Sequence, residues 1–356
     1  MVTRKEKDVD SDIRLSHPVV ELMKKRRAEG SLPGQRSDPQ NRLGLIVEGG
    51  AVRAIVTAAE ILTLDPLGFR NVFDVIYGSS AGASNAAYFC SNQPGGLRIY
   101  LDVVNNRRFI TIAGYLQVEP ILFLLRRPAV DIAWLFNHVM VNVLPLDWEA
   151  FARSPVPLKV LAASVEDAEI HAFDRFESRQ DLLHALRASA TLPILASFDP
   201  FYYRGGHYFD SGLLDPYCLR TAIADGCTHL LVLRAHPRGI KPTELEKRIA
   251  RDITARHLSQ FNWDLVTRFL SAQFNEEYNC LEKLAESEAN HSGPPFLLGI
   301  QPKAGSIDLA DWECNRDKLL LGAWTGAQAA LDAFNPSQDE ADRVRAFFAT
   351  LDQPVR

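Results

Sequence analysis

The sequence predicts an α/β protein with a mainly parallel central sheet. Residues 43–48 form a short apolar run that ends at a Gly-Gly pair, and helical spacing follows from residue 51 to residue 64. Residues 72–77 repeat this pattern and lead through a second glycine-containing turn into a small-residue helix that ends near residue 90. Two strand-turn-helix units in succession indicate strands that run in the same direction.

The rest of the chain continues the alternation of strands and helices. The composition, 47% hydrophobic and 23% charged over 356 residues, is sufficient for a large buried core. Further strands are predicted at residues 158–165, 169–173, 230–234 and 296–300. Further helices are predicted at residues 18–29, 181–190 and 219–224, within 243–288, and at 309–334 and 338–351.

The charge and cysteine content exclude several classes of protein. A formal charge of −5 gives no general attraction to nucleic acid, so no nucleic-acid partner is expected. The basic run at residues 24–27 is predicted to be a solvated helix face, with a lipid-binding patch as the alternative. The five cysteines show no C-x-x-C spacing, which argues against a zinc site or a disulfide framework; no metal or other cofactor is expected.

The hydropathy pattern predicts a cytoplasmic protein. The first residues are polar and lack the apolar stretch of a secretory signal, so export by that route is not expected. The most apolar region, residues 109–146, is interrupted by charged residues and prolines too often for a transmembrane segment. It is predicted to be buried or interfacial helix, and peripheral contact with a membrane is left open.

The strongest chemical motif lies at residues 78–82, Gly-Ser-Ser-Ala-Gly, which match G-x-S-x-G. In this motif the central serine occupies a sharp turn between a strand and a helix, where the flanking glycines relieve crowding. The helix that follows directs its amide groups and its dipole at the serine, which favours negative charge there. Ser80 is therefore predicted to be an exposed nucleophile.

A second glycine turn, residues 49–54, precedes the serine motif at the end of the first strand. Its amides could form an oxyanion hole, because parallel sheets gather their sites at this edge. A nucleotide phosphate loop is the competing function, but Ala51 and Ala54 stand where such loops require glycine. A tight turn without a ligand is the simplest alternative.

A third motif surrounds Asp210, in the sequence Tyr-Phe-Asp-Ser-Gly at residues 208–212. The short apolar run and the acidic turn could place Asp210 opposite the serine. Taken alone, an Asp-Ser-Gly sequence is more typical of an Asx turn or a helix cap.

These three motifs, in this order, resemble those of the patatin-like phospholipase family, which uses G-G-G-x-[RK]-G, G-x-S-x-G and D-G-[GA]. Residues 73–83, 145–148, 186–193 and 17–23 also look like the bacterial, single-domain branch of that family. The resemblance implies a three-layer α/β/α sandwich with helical additions. It divides the chain into an N-terminal helix and linker (1–42), a catalytic core (43–235) and a mostly helical C-terminal extension packed on the core (236–356).

The resemblance also implies a role for each site residue. Ser80 would be the nucleophile and Asp210 the base of a Ser-Asp dyad, with no histidine. Gly49, Gly50 and Ala51 would supply oxyanion amides, and Arg53 would hold the loop or the anionic intermediate. The expected activity is hydrolysis of a lipid or other ester through an acyl-enzyme, with a lipid or ester as the substrate. A solvated Arg53 on the first helical turn is the alternative for that residue.

The sequence departs from the family pattern at three positions. Ala54 falls within the predicted helix, where alanine is favoured over glycine by about 1 kcal/mol, so this change is expected to be harmless. Ala51 would cost roughly 1 to 2 kcal/mol if its backbone is left-handed, and the strain could turn an amide away from the oxyanion. Ser211 raises the same concern for the orientation of Asp210.

Three other functions remain open on the sequence. An α/β-hydrolase triad would use a histidine late in the chain, with His236 as the best candidate. A catalytically silent lipid-binding or scaffold protein would have lost activity through the three departures, and an acyltransferase would share the same residues. The apolar residues 115–125 and 133–144 could line an acyl channel or a lid, with core packing as the alternative.

Overall fold

An eight-stranded mixed sheet forms the centre of the computed structural model, which describes residues 16–104, 108–110, 128–240, 244–272, 283–284, 286–287 and 293–352. The strand order is β5-β6-β3-β2-β1-β7-β8, and β4 pairs with β3. The strands are β1 (Leu43–Val47), β2 (Val75–Ser79), β3 (Leu158–Ser164), β4 (Ile170–Phe173), β5 (Phe201–Tyr203), β6 (Gly206–Asp210), β7 (His229–Leu233) and β8 (Phe296–Ile300). The pairs among β3, β2, β1, β7 and β8 are parallel, whereas β4, β5 and β6 pair antiparallel.

Helices cover both faces of this sheet, because alternate residues of the buried strands point to opposite sides. Leu43 and Leu45 of β1 pack into the larger core, whereas Ile46 packs with Leu219 and Ala222 on the other side. The described α-helices of four or more residues are α1 (Pro18–Glu29), α2 (Ile55–Leu64), α3 (Ala81–Cys90), α4 (Trp148–Ala152), α5 (Arg179–Ser189), α6 (Leu219–Ala224), α7 (Glu244–Leu258), α8 (Trp263–Ser271), α9 (Arg316–Phe334) and α10 (Gln338–Ala349). The predicted α/β class with a mainly parallel sheet is confirmed.

The structure differs from the sequence prediction at two short strands and at the start of one helix. The hairpin β5-β6 was not predicted, because its strands have three and five residues and are joined by a two-residue turn at Arg204-Gly205. The helix predicted from residue 309 begins only at Arg316. Asn315 caps it, accepting hydrogen bonds from the amides of Asp317 and Lys318 at 3.0 and 3.1 Å.

Helix α1 departs from the predicted solvated basic face at Arg26, whereas Lys25 and Arg27 are exposed. Arg26 is 1% exposed. Its guanidinium donates to Asp38 Oδ1 at 3.0 Å, Asp74 Oδ2 at 2.8 Å, Val72 O at 3.0 Å and Asn41 O at 2.7 Å. Burial of the charge is tolerated because two carboxylates and two carbonyls replace the water that it loses. Arg26 thus ties α1 and the segment after it to the start of the sheet.

The residues after β7 contribute to the same sheet. Strand β8 pairs in parallel with β7 from His229↔Phe296 to Leu233↔Ile300, and α9 packs against α2. The predicted boundaries at residues 42 and 235 stay a prediction. Among the described residues, none of the helices combines the length and the apolar character that crossing a membrane requires.

The apolar segment before β3 is described in part. Residues 115–125 lie outside the described residues. A π-helical stretch, Leu135–Val143, buries Phe136, Val139 and Met140 and leaves Val143 half-exposed. This burial favours core packing for residues 133–144 over a membrane-facing lid.

Candidate active site

Ser80 lies in a strained turn between β2 and α3, the geometry that G-x-S-x-G predicts. Its backbone has φ 54° and ψ −133°, values that non-glycine residues rarely adopt, and the side chain is partly exposed. Gly82 allows α3 to start close to β1, because a Cβ atom there would collide with the carbonyl oxygen of Val47. The tight approach places the amino end of α3 directly behind the serine.

The sheet register brings Asp210 to the same place. Ser79 of β2 pairs with Leu161 of β3, and Asp210 of β6 pairs with Ala162, the next residue of β3. Both pairs lie on the same edge of β3, since β4 occupies the opposite edge along Val160 to Ala163. Strands β2 and β6 therefore approach each other end to end, and Ser80 and Asp210 meet where they stop.

Asp210 is buried and interacts with the serine. The residue is 3% exposed, and Gly212 N donates to its Oδ1 at 2.8 Å. Burial raises the pKa of Asp210 to about 6, while hydrogen bonds from the Gly212 amide and the Ser80 hydroxyl oppose this rise. At neutral pH the carboxylate is thus ionised yet more basic than an exposed aspartate, as a proton acceptor requires.

The glycine turn lies against the serine from the other side. A Cβ atom on Gly49 would stand 2.8 Å from Ser80 Cβ and 3.5 Å from Ser80 Oγ, so the bare backbone of Gly49 faces the hydroxyl. Gly50 has φ 121° and Ala51 has φ 48°, after which a 3₁₀ turn runs from Ala51 to Ala54. The left-handed angle suspected for Ala51 is present, whereas Ala54 has an ordinary helical φ of −62°.

Arg53 is held by other protein groups and is not solvated. Its side chain is 14% exposed. Nε donates to Leu309 O at 2.7 Å, the other end of the guanidinium pairs with Asp311 Oδ1 at 2.5 Å, and a further contact joins it to His236 Nε2. Sequence reasoning missed these partners, because residues 236 and 309–311 carry no recognisable motif.

His236 is engaged through both ring nitrogens. Arginine can only donate, so Nε2 accepts from Arg53, and Nδ1 donates to Asp308 Oδ1 at 3.1 Å. The nitrogen that an α/β-hydrolase triad would use to deprotonate Ser80 is therefore occupied by Arg53. No grouping of three or more His, Cys, Asp or Glu side chains that could hold a metal ion occurs in the described part of the chain.

Comparison with known proteins places this chain in a family. A family model described as "Patatin-like phospholipase" matches residues 45–223, half of the chain, and includes Ser80 and Asp210. The chain belongs to the patatin-like phospholipase family. The resemblance seen in the sequence is thereby confirmed.

Individual relatives cover smaller parts. The chain is 29% identical over 206 residues to an uncharacterized protein, YjjU, of Escherichia coli strain K12, covering 55% of this chain and 52% of that protein. It is 29% identical over 136 residues to an omega-hydroxyceramide transacylase of Mus musculus, covering 38% of this chain and 21% of that protein. The chain thus matches about half or less of the length of these relatives.

Among solved structures, the chain is similar to human GIVD cytosolic phospholipase A2 in complex with methyl gamma-linolenyl fluorophosphonate. The sequence identity is 16%, the TM-score is 0.26, and the match covers 49% of this chain and 28% of that chain. A TM-score this low carries no argument about the site.

Two serines, Ser189 and Ser211, form hydrogen bonds with residues of the Gly-Ser-Ser-Ala-Gly motif. Ser80 N donates to Ser189 Oγ at 2.9 Å, and Asp210 N donates to Thr191 O at 3.0 Å, so the residues at the end of α5 contact both Ser80 and Asp210. Ser211, which departs from the patatin-like pattern, shares a 2.6 Å hydrogen bond with Ser79. Residues 186–193 look like the family in sequence, but that resemblance assigns no contact to Ser189.

Proposed function

We propose that this patatin-like protein is a serine lipid acyl hydrolase with Ser80 as the nucleophile and Asp210 as the base. The observation that carries the proposal is the end-to-end approach of β2 and β6, which brings a strained, partly exposed serine against a buried carboxylate. Membership of the family supports lipid hydrolysis or acyl transfer in general terms.

The reaction follows from the positions of these groups. Ser80 Oγ attacks the carbonyl carbon of an ester while Asp210 accepts the hydroxyl proton. The amides of Gly49, Gly50 and Ala51 donate to the oxyanion, and the dipole of α3 adds to this stabilisation. Collapse of the intermediate releases an alcohol that takes the proton from Asp210. Water then attacks the acyl-enzyme while Asp210 accepts its proton, and collapse of this second intermediate releases a carboxylic acid as Asp210 returns the proton to Ser80 Oγ.

A Ser80→Ala comparison tests the proposal. Purified protein is assayed against phospholipids, triglycerides and short p-nitrophenyl esters, and its labelling by a fluorophosphonate is measured. We expect Ser80→Ala to lower turnover by at least about a thousandfold and to abolish labelling. Ser91→Ala is the matched control, because Ser91 follows the other end of α3 and its hydroxyl bonds only the carbonyl of Ala87 at 2.8 Å among the described contacts. Full activity in Ser80→Ala would disprove the assignment.

Acyl transfer to an alcohol is the second candidate, favoured by the transacylase named among the relatives. The same acyl-enzyme would be attacked by a lipid hydroxyl group instead of water. Product analysis by mass spectrometry in the presence of a long-chain alcohol distinguishes the two. A hydrolase yields the free acid alone, and a transferase yields a new ester.

A silent scaffold and a His236 triad predict different results in the same assays. A scaffold would show neither turnover nor labelling of Ser80. A triad would lose about a hundredfold to ten-thousandfold in rate on His236→Ala, because its base is removed. The contacts of His236 support a smaller effect, exerted through Arg53.

A further inference from the structure

Arg53 connects the glycine turn to a part of the chain that the family match does not reach. The match ends at residue 223, whereas the partners of Arg53 are His236, Asp308, Leu309 and Asp311. We call these four residues the clamp. They lie in the segments that follow β7 and β8, at the same edge of the sheet as the glycine turn.

The clamp contacts the turn through both main chain and side chains. Val52 N donates to Asp311 O at 3.1 Å, next to the guanidinium contacts with Leu309 O and Asp311 Oδ1. Asp308 Oδ1 lies 3.8 Å from Arg53 Nε and orients His236 through its Nδ1 atom. Together these contacts surround the guanidinium with acceptors and fix its direction.

Two other side chains bind the main chain at the ends of the turn, where Thr57 Oγ1 donates to Glu48 O at 3.0 Å and Asn85 Nδ2 donates to Ala54 O at 2.9 Å. Gly50 and Ala51 both have left-handed backbone angles, and no side chain caps the 3₁₀ turn that they begin. Such angles persist when surrounding structure determines them. The Arg53 side chain leaves the chain two residues after Ala51, so a fixed guanidinium limits where the amides of residues 49–51 can point.

We propose that the clamp positions the glycine turn for catalysis by holding Arg53, and that Asp311 and His236 are positioning residues of the acyl-transfer site. The catalytic consequence rests on the proposed function, whereas the structural coupling does not. In this arrangement Arg53 acts mainly through the turn, because its guanidinium is already satisfied by Leu309, Asp311 and His236.

Two readouts of one variant set test the proposal. The variants are Arg53→Lys, Asp311→Asn and the double variant, and Asp332→Asn is the control. Asp332 lies in the same C-terminal region, and its carboxylate pairs with Lys303 at 2.6 Å, not with the turn. Thermal unfolding of each variant confirms that it is folded at the assay temperature.

The first readout is amide hydrogen exchange of peptides that cover residues 47–58. Exchange should become about tenfold faster in Arg53→Lys and in Asp311→Asn. The double variant should exchange no faster than the faster of the two single variants, and Asp332→Asn should exchange at the wild-type rate. This readout holds whether or not the protein turns over an ester. Equal exchange in Asp311→Asn and the wild type would overturn the coupling.

The second readout is esterase kinetics. Displacement of the oxyanion-hole amides lowers kcat more than it changes KM, so each single variant should lose about tenfold in kcat with little change in KM. The double variant should lose no more than Arg53→Lys alone, because Asp311 acts on the turn through Arg53. Losses that multiply to about a hundredfold, or an unchanged kcat in Asp311→Asn, would refute the positioning role. Absence of Ser80-dependent turnover in the wild type would instead refute the proposed function. The hydrogen-exchange result would then still test whether the clamp holds the glycine turn.

Discussion

Replacing Asp210 with asparagine should separate the catalytic use of this carboxylate from its energetic cost. Asparagine keeps the shape and an oxygen that can accept from Gly212 N, which now donates to Oδ1 at 2.8 Å. It cannot take a proton from Ser80. We therefore expect kcat/KM to fall by about a hundredfold to ten-thousandfold, the usual contribution of a positioned base.

The same change should increase stability at neutral and alkaline pH. The pKa of Asp210 is raised from 3.8 to about 6 by burial, against the hydrogen bonds from Gly212 and Ser80. A raised pKa means that the folded state binds the proton more tightly than the unfolded state does. The stabilising contribution is therefore fully present below about pH 4 and is lost as the pH rises through 6. A shift of about two pKa units corresponds to about 3 kcal/mol.

Urea unfolding at several pH values measures this difference. The free energy of unfolding of Asp210→Asn minus that of the wild type should grow by up to about 3 kcal/mol between pH 4 and pH 8. Asp342→Asn, which replaces an exposed carboxylate on α10, is the control. For the wild-type enzyme, kcat/KM should rise with pH and reach half of its plateau near pH 6.

The result that would refute this reasoning is a difference between Asp210→Asn and the wild type that does not change with pH. Asp210 would then be no more basic in the folded protein than in the unfolded chain. Retained activity in Asp210→Asn would refute the base assignment independently of stability.

Two further predictions concern the departures from the family motifs. Ser79→Ala and Ser211→Ala should each lower the free energy of unfolding by about 1 to 2 kcal/mol, because each leaves one buried hydroxyl without its 2.6 Å hydrogen-bond partner. In urea unfolding, the double variant should lose less stability than the sum of the two single losses. Additive losses would show that the two serines do not interact. Ala51→Gly should raise the free energy of unfolding by about 1 kcal/mol, because glycine adopts the φ of 48° without the steric strain that the Ala51 methyl group causes. Thermal unfolding measures this change, and kcat should stay at or above the wild-type value. A loss of stability would show that Ala51 is not strained.

Local sequence patterns were sufficient to predict the strands of the parallel part of the sheet. Strands β1, β2, β7 and β8 have five residues each, and at least three of the five in each strand are large apolar residues, so their composition predicts them. Hairpin β5-β6 could not be found in this way, since Phe201–Tyr203 has only three residues. Its existence depends on pairing with β3, a contact between residues 44 to 48 positions apart in the chain.

In the candidate site, too, some residues could be predicted from local motifs, whereas the positions of others depend on the fold. Ser80 and the glycine turn follow strands directly, so their motifs predict both position and local geometry. Asp210 could be named from its motif, but its place beside Ser80 is set by the registers of β2 and β6 on β3. Ser189 and the partners of Arg53 have no local signal, because a hydroxyl or carboxylate becomes informative only when the fold brings it to a particular atom.

The departure at residue 211 then has a physical explanation that the motif alone conceals. A glycine at this position would leave the buried hydroxyl of Ser79 without the acceptor or donor that Ser211 now provides. Ser79 precedes the proposed nucleophile and Ser211 follows the proposed base, so their hydrogen bond joins the two chain segments whose separation the proposed proton transfer depends on. The serine that departs from the family pattern therefore helps to hold Ser80 and Asp210 together, and this role supports the proposed activity.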